Sequence, residues 1–247
     1  DISLSTIGSF ASVSPPAALI NSVMFRPTAE TFLATAGSGS KLAAALEKSL
    51  ARRHVHLLAV LDNGPPMLVS RSAMLKPADL KGKPFRAYDK ASSQIIHTLG
   101  GAPSTMSVSD VYAALQRGTV QGAIGGIQGA IGLKEYEVAK FLLNGNGVWG
   151  VGTTIYVMNG AALASLPADL QKLVFAAGRE AEQVTNKVIF AFIDKSLKDM
   201  RGHGMQVTEL QPGSAQYQAF ATALAPLAHA QQKGIPKELL ARVSAGA

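Results

Sequence analysis

A helical pattern of about thirty residues dominates the second half of this chain and limits how the rest can be arranged. Pro167, suited to a first helical position, opens it, and Leu170, Leu173, Val174, Ala177, Ala181, Val184 and Val188 follow at helical spacing before Gly202. The spacing predicts one helix over 168–201. Such length is unusual inside one globular lobe, so the helix is expected to run along more than one. The 247 residues suffice for two lobes.

A boundary falls at Asn63-Gly64-Pro65-Pro66, a strong breaker between the apolar run Val55 to Leu61 and a new strand at Met67-Leu68-Val69-Ser70. Ahead of it the chain reads as strand, Pro/Ser-rich loop, helix and strand. The first strand alternates from Ile2, the helix carries Leu42, Leu46 and Leu50, and the run from Val55 suits a strand buried on both faces. Beyond it come a helical turn at Pro77 closed by Gly82, a strand from Pro84 to Tyr88 ending at Asp89, and a helix from Ser92 to Leu99. Ser107 and Asp110 have capping-box spacing and open a helix that ends at Gly118. This rhythm argues for a parallel α/β sheet. Thr153 to Asn159 reads as a strand, and beyond Gln206-Val207-Thr208 the chain is helical, with Phe220, Leu224 and Leu227 on one face.

Charge and composition narrow the partners. Twenty-three Lys and Arg against sixteen Asp and Glu give +7, a balance that suits anionic ligands, nucleic acid or an anionic membrane surface. Aromatics are only 6% and the basic residues are scattered apart from Arg52-Arg53, which argues against nucleic acid and membrane. There is no cysteine, so disulfides, thiolate zinc sites and cysteine nucleophiles are excluded. The sequence starts directly in a strand pattern, without a charged and apolar leader, so a signal peptide has been removed or never existed.

Gln121-Gly122-Ala123-Ile124-Gly125 recurs as Gln128-Gly129-Ala130-Ile131-Gly132, two copies that make no solenoid but leave a bare backbone that a ligand could approach. The glycines miss both the P-loop and the GxGxxG spacing that a phosphate cradle needs. His54 and His56 would share a strand face as a metal pair might, but no third ligand is spaced to join them. No Gly-x-Ser-x-Gly elbow occurs. Arg86 stands apart. At the C-terminal end of a strand in a parallel sheet it sits where such sheets bind ligands, and its fork of donors suits a carboxylate; the alternative is a surface salt bridge.

Four blocks decide between these readings: Pro77-Ala78-Asp79-Leu80-Lys81-Gly82-Lys83-Pro84-Phe85-Arg86, Val111-Tyr112-Ala113-Ala114-Leu115-Gln116-Arg117-Gly118-Thr119-Val120-Gln121-Gly122, Tyr136-Glu137-Val138-Ala139-Lys140-Phe141 and Leu166-Pro167-Ala168-Asp169-Leu170-Gln171-Lys172. In this order they resemble the substrate-binding proteins of tripartite ATP-independent periplasmic (TRAP) transporters. The resemblance implies a periplasmic receptor without catalysis, of two-lobed α/β fold, that closes on a small organic acid and hands it to a membrane permease. A ligand sensor of the same fold, or a small-molecule enzyme, is the alternative. It implies no cofactor and no metal, a monomer in full-length form, and Arg86 as the partner of the ligand carboxylate.

Lobe one is expected to comprise 1–62 with 151–190, and lobe two 63–150 with 191–247, the long helix spanning both. Family members usually carry a further strand and helix ahead of this starting point, so part of lobe one is expected to be missing. Where many members have a second arginine this chain has Pro66, and where they have an asparagine or aromatic it has Gly125 and Gly126. Val108 takes a position that is often aromatic. Such a pocket favours a small, fairly apolar monocarboxylate over a sugar acid. Tyr88, Asp89 and Trp149, near strand ends, are candidate lining residues, and Thr6 at the end of the first strand is another.

Overall fold

The computed structural model describes residues 1–28 and 31–244. Its elements are, in order, β1 (Ile2–Thr6), α1 (Pro15–Ile20), α2 (Phe32–Ala36), α3 (Lys41–Ala51), β2 (Val55–Asp62), β3 (Met67–Ser70), β4 (Pro84–Ala87), α4 (Lys90–Thr98), β5 (Ala102–Thr105), α5 (Val111–Arg117), β6 (Gly122–Gly125), α6 (Ile127–Gly132), β7 (Phe141–Asn144), β8 (Thr153–Asn159), α7 (Gly160–Ala164), α8 (Ala168–Gly202), β9 (Gln206–Glu209), α9 (Ala215–Gln232) and α10 (Lys237–Ser244). Single 3-10 turns at Pro77–Leu80, Val108–Asp110 and Glu135–Glu137 lie in the middle of the chain. The mixed α/β content and the 35-residue α8 agree with the expected fold class.

The chain divides into two compact units. Unit one holds Asp1–Gly64, Val151–Phe190 and the chain from Gln231 on; unit two holds Pro65–Gly150 and Ala191–Ala230. The expectation that 191–247 stays together differs from this at its end. Ile235 and Leu239 are buried in the core of unit one, and Gln231 Oε1 accepts from Val23 N–H at 3.1 Å.

Unit one is built on an antiparallel sheet in the order β1-β8-β2. A bulge at Leu58 places Leu57 and Val60 on one face, packed with Ile20, Phe32, Leu46 and Leu50. Leu58 turns the other way, to Met158, Leu163 and Phe175. This is why the apolar run reads as buried on both faces. One edge of β2 pairs with β8, and the other would be left with free N–H groups. Side chains of α8 complete it. Glu182 Oε2 accepts from Val60 N–H at 2.8 Å, and Asn186 Oδ1 accepts from Asp62 N–H at 3.0 Å. Glu182 Oε1 also takes Ser38 N–H at 2.7 Å. One turn earlier, Gly178 lies so close to the Leu58 carbonyl that a Cβ would collide with it.

Unit two carries a six-stranded sheet in the order β5-β4-β6-β3-β7-β9. The sequence rhythm suggests parallel strands, and β5-β4-β6 and β7-β9 are parallel. β3 is the correction, antiparallel to both β6 and β7. It enters straight from the Asn63-Gly64-Pro65-Pro66 breaker and is not reached through a strand–helix–strand unit, so no crossover fixes its direction. Phe85, Ile96, Val111, Leu115, Leu143 and Phe220 are buried in this unit. Gly118, with φ 72°, caps α5 in the left-handed conformation. The Ser107 hydroxyl donates to Asp110 Oδ2 at 2.7 Å, a side-chain contact in place of the expected cap on the backbone.

Truncation of Glu182 leaves three donors, Val60 N–H, Ser38 N–H and the Ser38 hydroxyl, without their acceptor. Glu182→Ala is expected to lower the stability of unit one by on the order of 3 kcal/mol in urea denaturation. Gly178→Ala, which would favour an ordinary helix, is expected to destabilise as well.

Candidate functional site

Arg86 lies next to last on β4, paired in parallel with Ser104 of β5 on one side and Ala123 of β6 on the other. Only 7% of its surface is exposed. Its Nε donates to the Met106 carbonyl at 3.3 Å and its Nη1 to the Ile124 carbonyl at 3.2 Å. Neither bond uses Nη2. Ion pairs among the described residues are Glu47–His56, Lys195–Asp199 and Arg201–Glu209, so this buried guanidinium has no carboxylate in contact. Burial lowers its pKa, and the charge of Glu135, more than Tyr88 or Asp89, pulls it back up.

The guanidinium faces a cavity of about 40 Å³. A single water needs roughly 10–15 Å³ by the same measure, so the space has room for a carboxylate group. Gly125, Gly126 and Val108, all singled out from the sequence, line it with Arg86. The glycines keep it open. A Cβ on Gly125 would stand 3.5 Å from Arg86 Nη1. Val108 is half exposed, on the 3-10 turn before α5. Met67 and Val69 from β3, with Ala123 and Ala130, make the remaining wall mostly apolar.

Tyr88 sits beside the guanidinium, its ring centroid 5.8 Å from Arg86 Cζ, a cation–π distance. Burial pushes its phenol above the usual range, and Asp89 adds to this. Asp89 caps α4: its Oδ1 accepts from Ser92 N–H and from the Ser92 hydroxyl, both at 2.7 Å. Trp149 is buried in unit two. Its indole N–H donates to the Pro66 carbonyl at 2.5 Å and its ring meets Phe220 edge-on at 5.5 Å. Thr6 belongs to unit one, where its hydroxyl is 3.2 Å from that of Ser9. His56 Nδ1 is 2.9 Å from Glu47 Oε1, and no group of three His, Cys, Asp or Glu residues able to hold a metal occurs among the described residues.

The sequence gives no notice of Glu135. It is 5% exposed and lines the Arg86 cavity. Within Leu133-Lys134-Glu135-Tyr136-Glu137 it reads as one charge of a solvated turn, and only the burial of that turn against α6 and α5 distinguishes it. Burial pushes its carboxyl up to about 7, while Arg86 pulls it down.

Residues 1–234 match the family described as bacterial extracellular solute-binding protein, family 7. The 2,3-diketo-L-gulonate-binding periplasmic protein of Escherichia coli K12 is 27% identical over 84% of this chain and 62% of its own length. The C4-dicarboxylate-binding periplasmic protein of Shewanella loihica is 28% identical over 79% of the chain and 57% of its own. A solute-binding protein of Sulfitobacter sp. NAS-14.1 is 32% identical over 58% of the chain and 43% of its own. The chain thus spans about half the length of the curated relatives it matches. In fold it resembles TRAP periplasmic solute-binding proteins solved from Shewanella oneidensis with succinate (TM-score 0.86, 20% identity, 99% of this chain and 79% of that one) and from Roseobacter denitrificans with β-D-glucuronate (TM-score 0.87, 21% identity, 100% and 80%). The long α8, the β4 arginine and the glycine-lined cavity therefore lie on a chain that belongs to bacterial extracellular solute-binding protein family 7, the DctP family.

Proposed function

We propose that this protein is a periplasmic receptor that binds a small organic acid through its carboxylate on Arg86 and delivers it to a TRAP-type membrane permease, without catalysis. One observation carries the reading. A guanidinium 7% exposed, with no carboxylate in contact and Nη2 outside its two hydrogen bonds, stands at the wall of a cavity of carboxylate size. Burying an unpaired charge is costly, and an anionic ligand is the natural compensation. Relatives of the same fold were solved with succinate, L-malate and pyroglutamic acid, which supports an organic acid as the ligand class. A monocarboxylate fits best, since the wall offers one cation among mostly apolar side chains. The receptor acts as a monomer.

Motion follows from the crossings. The chain passes between units next to Gly64 (φ 75°) and Gly150 (φ 90°), conformations that glycine adopts without strain. These points serve as hinges in our reading. Small-angle scattering is expected to show a smaller radius of gyration with saturating ligand, and an unchanged radius would remove the hinge.

The carboxylate role is tested by a thermal-shift screen against organic acids followed by calorimetric titration. Arg86→Ala is expected to weaken binding by about 2–5 kcal/mol, on the order of thirty-fold to several thousand-fold. Arg86→Lys should recover only part, because a point charge cannot make two coplanar contacts. The unliganded variant should also lose about 1–3 kcal/mol of stability, as the Met106 and Ile124 carbonyls lose their donor. Equal affinities for wild type and Arg86→Ala would make the arginine purely structural.

A further inference from the structure

We propose that Glu135 is a second recognition group of the Arg86 site, one that admits a ligand carboxylate only while carrying a proton, so that binding takes up a proton from solvent. The inference rests on the reading of Arg86 as the carboxylate anchor.

Glu135 opens the 3-10 turn Glu135–Glu137 and lines the same cavity as Arg86, Gly125 and Gly126. It is 5% exposed, and among the described residues its carboxyl enters no hydrogen bond or ion pair. A buried carboxylate in that position is stabilised chiefly by the field of the nearby guanidinium. A ligand anion on Arg86 claims the same cation and adds a like charge within a cavity of about 40 Å³. Two carboxylates sharing one cation in a low dielectric do not both stay ionised. Protonated, Glu135 gains an O–H that can donate to a ligand oxygen, which turns a repulsion into a hydrogen bond. The step balances: one ligand anion and one solvent proton enter, and both leave on release.

The surroundings leave few rival titrating groups. Tyr112 and Arg117 lie on α5, and the Tyr112 hydroxyl donates to Glu137 Oε2 at 2.8 Å. α6 carries no charged residue. Lys134, Tyr136 and Glu137 lie beside Glu135 in the chain, with His203 stacked on Tyr136 at 4.0 Å. Arg86, Tyr88 and Asp89 come from the end of β4 and the start of α4. Burial holds the Glu135 carboxyl at about 7 in the free protein, and a bound anion raises it further. Below that pH the proton is already present and affinity is flat. Above it, binding must draw the proton in, and affinity falls up to tenfold per pH unit.

The test is calorimetric titration of the full chain with pyroglutamate, orotate and succinate from about pH 6 to about pH 8.5, in buffers of different ionisation enthalpy. The expected result is an affinity loss of about 30-fold across that range and uptake approaching one proton per ligand at the upper end. Glu135→Gln should flatten the profile and bind better than wild type at the alkaline end; Glu135→Leu serves if the glutamine variant misfolds, and the wild-type proton count needs no variant. Carboxylate binding that Arg86→Ala abolishes but that is independent of pH, with no proton uptake, would overturn the role of Glu135 and leave the Arg86 reading intact. A slope retained in Glu135→Gln would move the titration to another group and overturn it too. Proton release with weaker binding by Glu135→Gln would mean that Glu135 pairs with a ligand cation. No binding of any of the three acids, by wild type or Arg86→Ala, would remove both readings.

Discussion

Keeping a guanidinium charged inside a sheet is the demand that shapes unit two. Arg86 is 7% exposed, and the chain answers with backbone carbonyls, those of Met106 and Ile124, in place of a carboxylate. Those carbonyls come from the chain just after β5 and from β6, the strands that flank β4 in parallel. Their C-terminal ends converge beside the arginine, the place where open α/β sheets bind ligands. Carbonyl dipoles satisfy donors without neutralising the charge. Glu135 lines the same cavity without contacting the guanidinium as an ion pair.

Unit one answers a different demand. An edge strand as apolar as β2 invites pairing with another chain. α8 closes that edge with Glu182 and Asn186, four residues apart on one helical face, which reach Val60 and Asp62, two apart on the strand. The match works because one helical turn and two strand residues span similar lengths, about 6 Å and 7 Å. α8 belongs to unit one up to Phe190 and to unit two from Ala191. Its length thus has a structural use at its first half that does not depend on ligand.

Much of this was legible beforehand, and the failures have physical causes. The apolar spacing from Leu170 to Val188 marks α8, and the breaker at Asn63 to Pro66 marks the first crossing. Arg86, Val108, Gly125 and Gly126 do meet at one cavity. β5 escapes notice because Ala102-Pro103-Ser104-Thr105 is an exposed edge with no apolar alternation. β6 escapes because half of it is glycine, yet Gly122 is what lets the strand lie against the Val69 carbonyl and the Phe85 ring. The direction of β3 depends on how the chain re-enters unit two, which local spacing does not encode. Glu135 is invisible for the same reason: its burial is a property of the packed turn, whereas its neighbours in sequence are ordinary surface charges.

A crystal structure of the chain with the acid selected by the thermal-shift screen would locate the ligand carboxylate relative to Arg86. A ligand carboxylate oxygen is expected within about 3 Å of Arg86 Nη2, beside Gly125, with the apolar part of the acid toward Val108. An acid bound with its carboxylate away from Arg86, and the guanidinium still held only by the Met106 and Ile124 carbonyls, would contradict it.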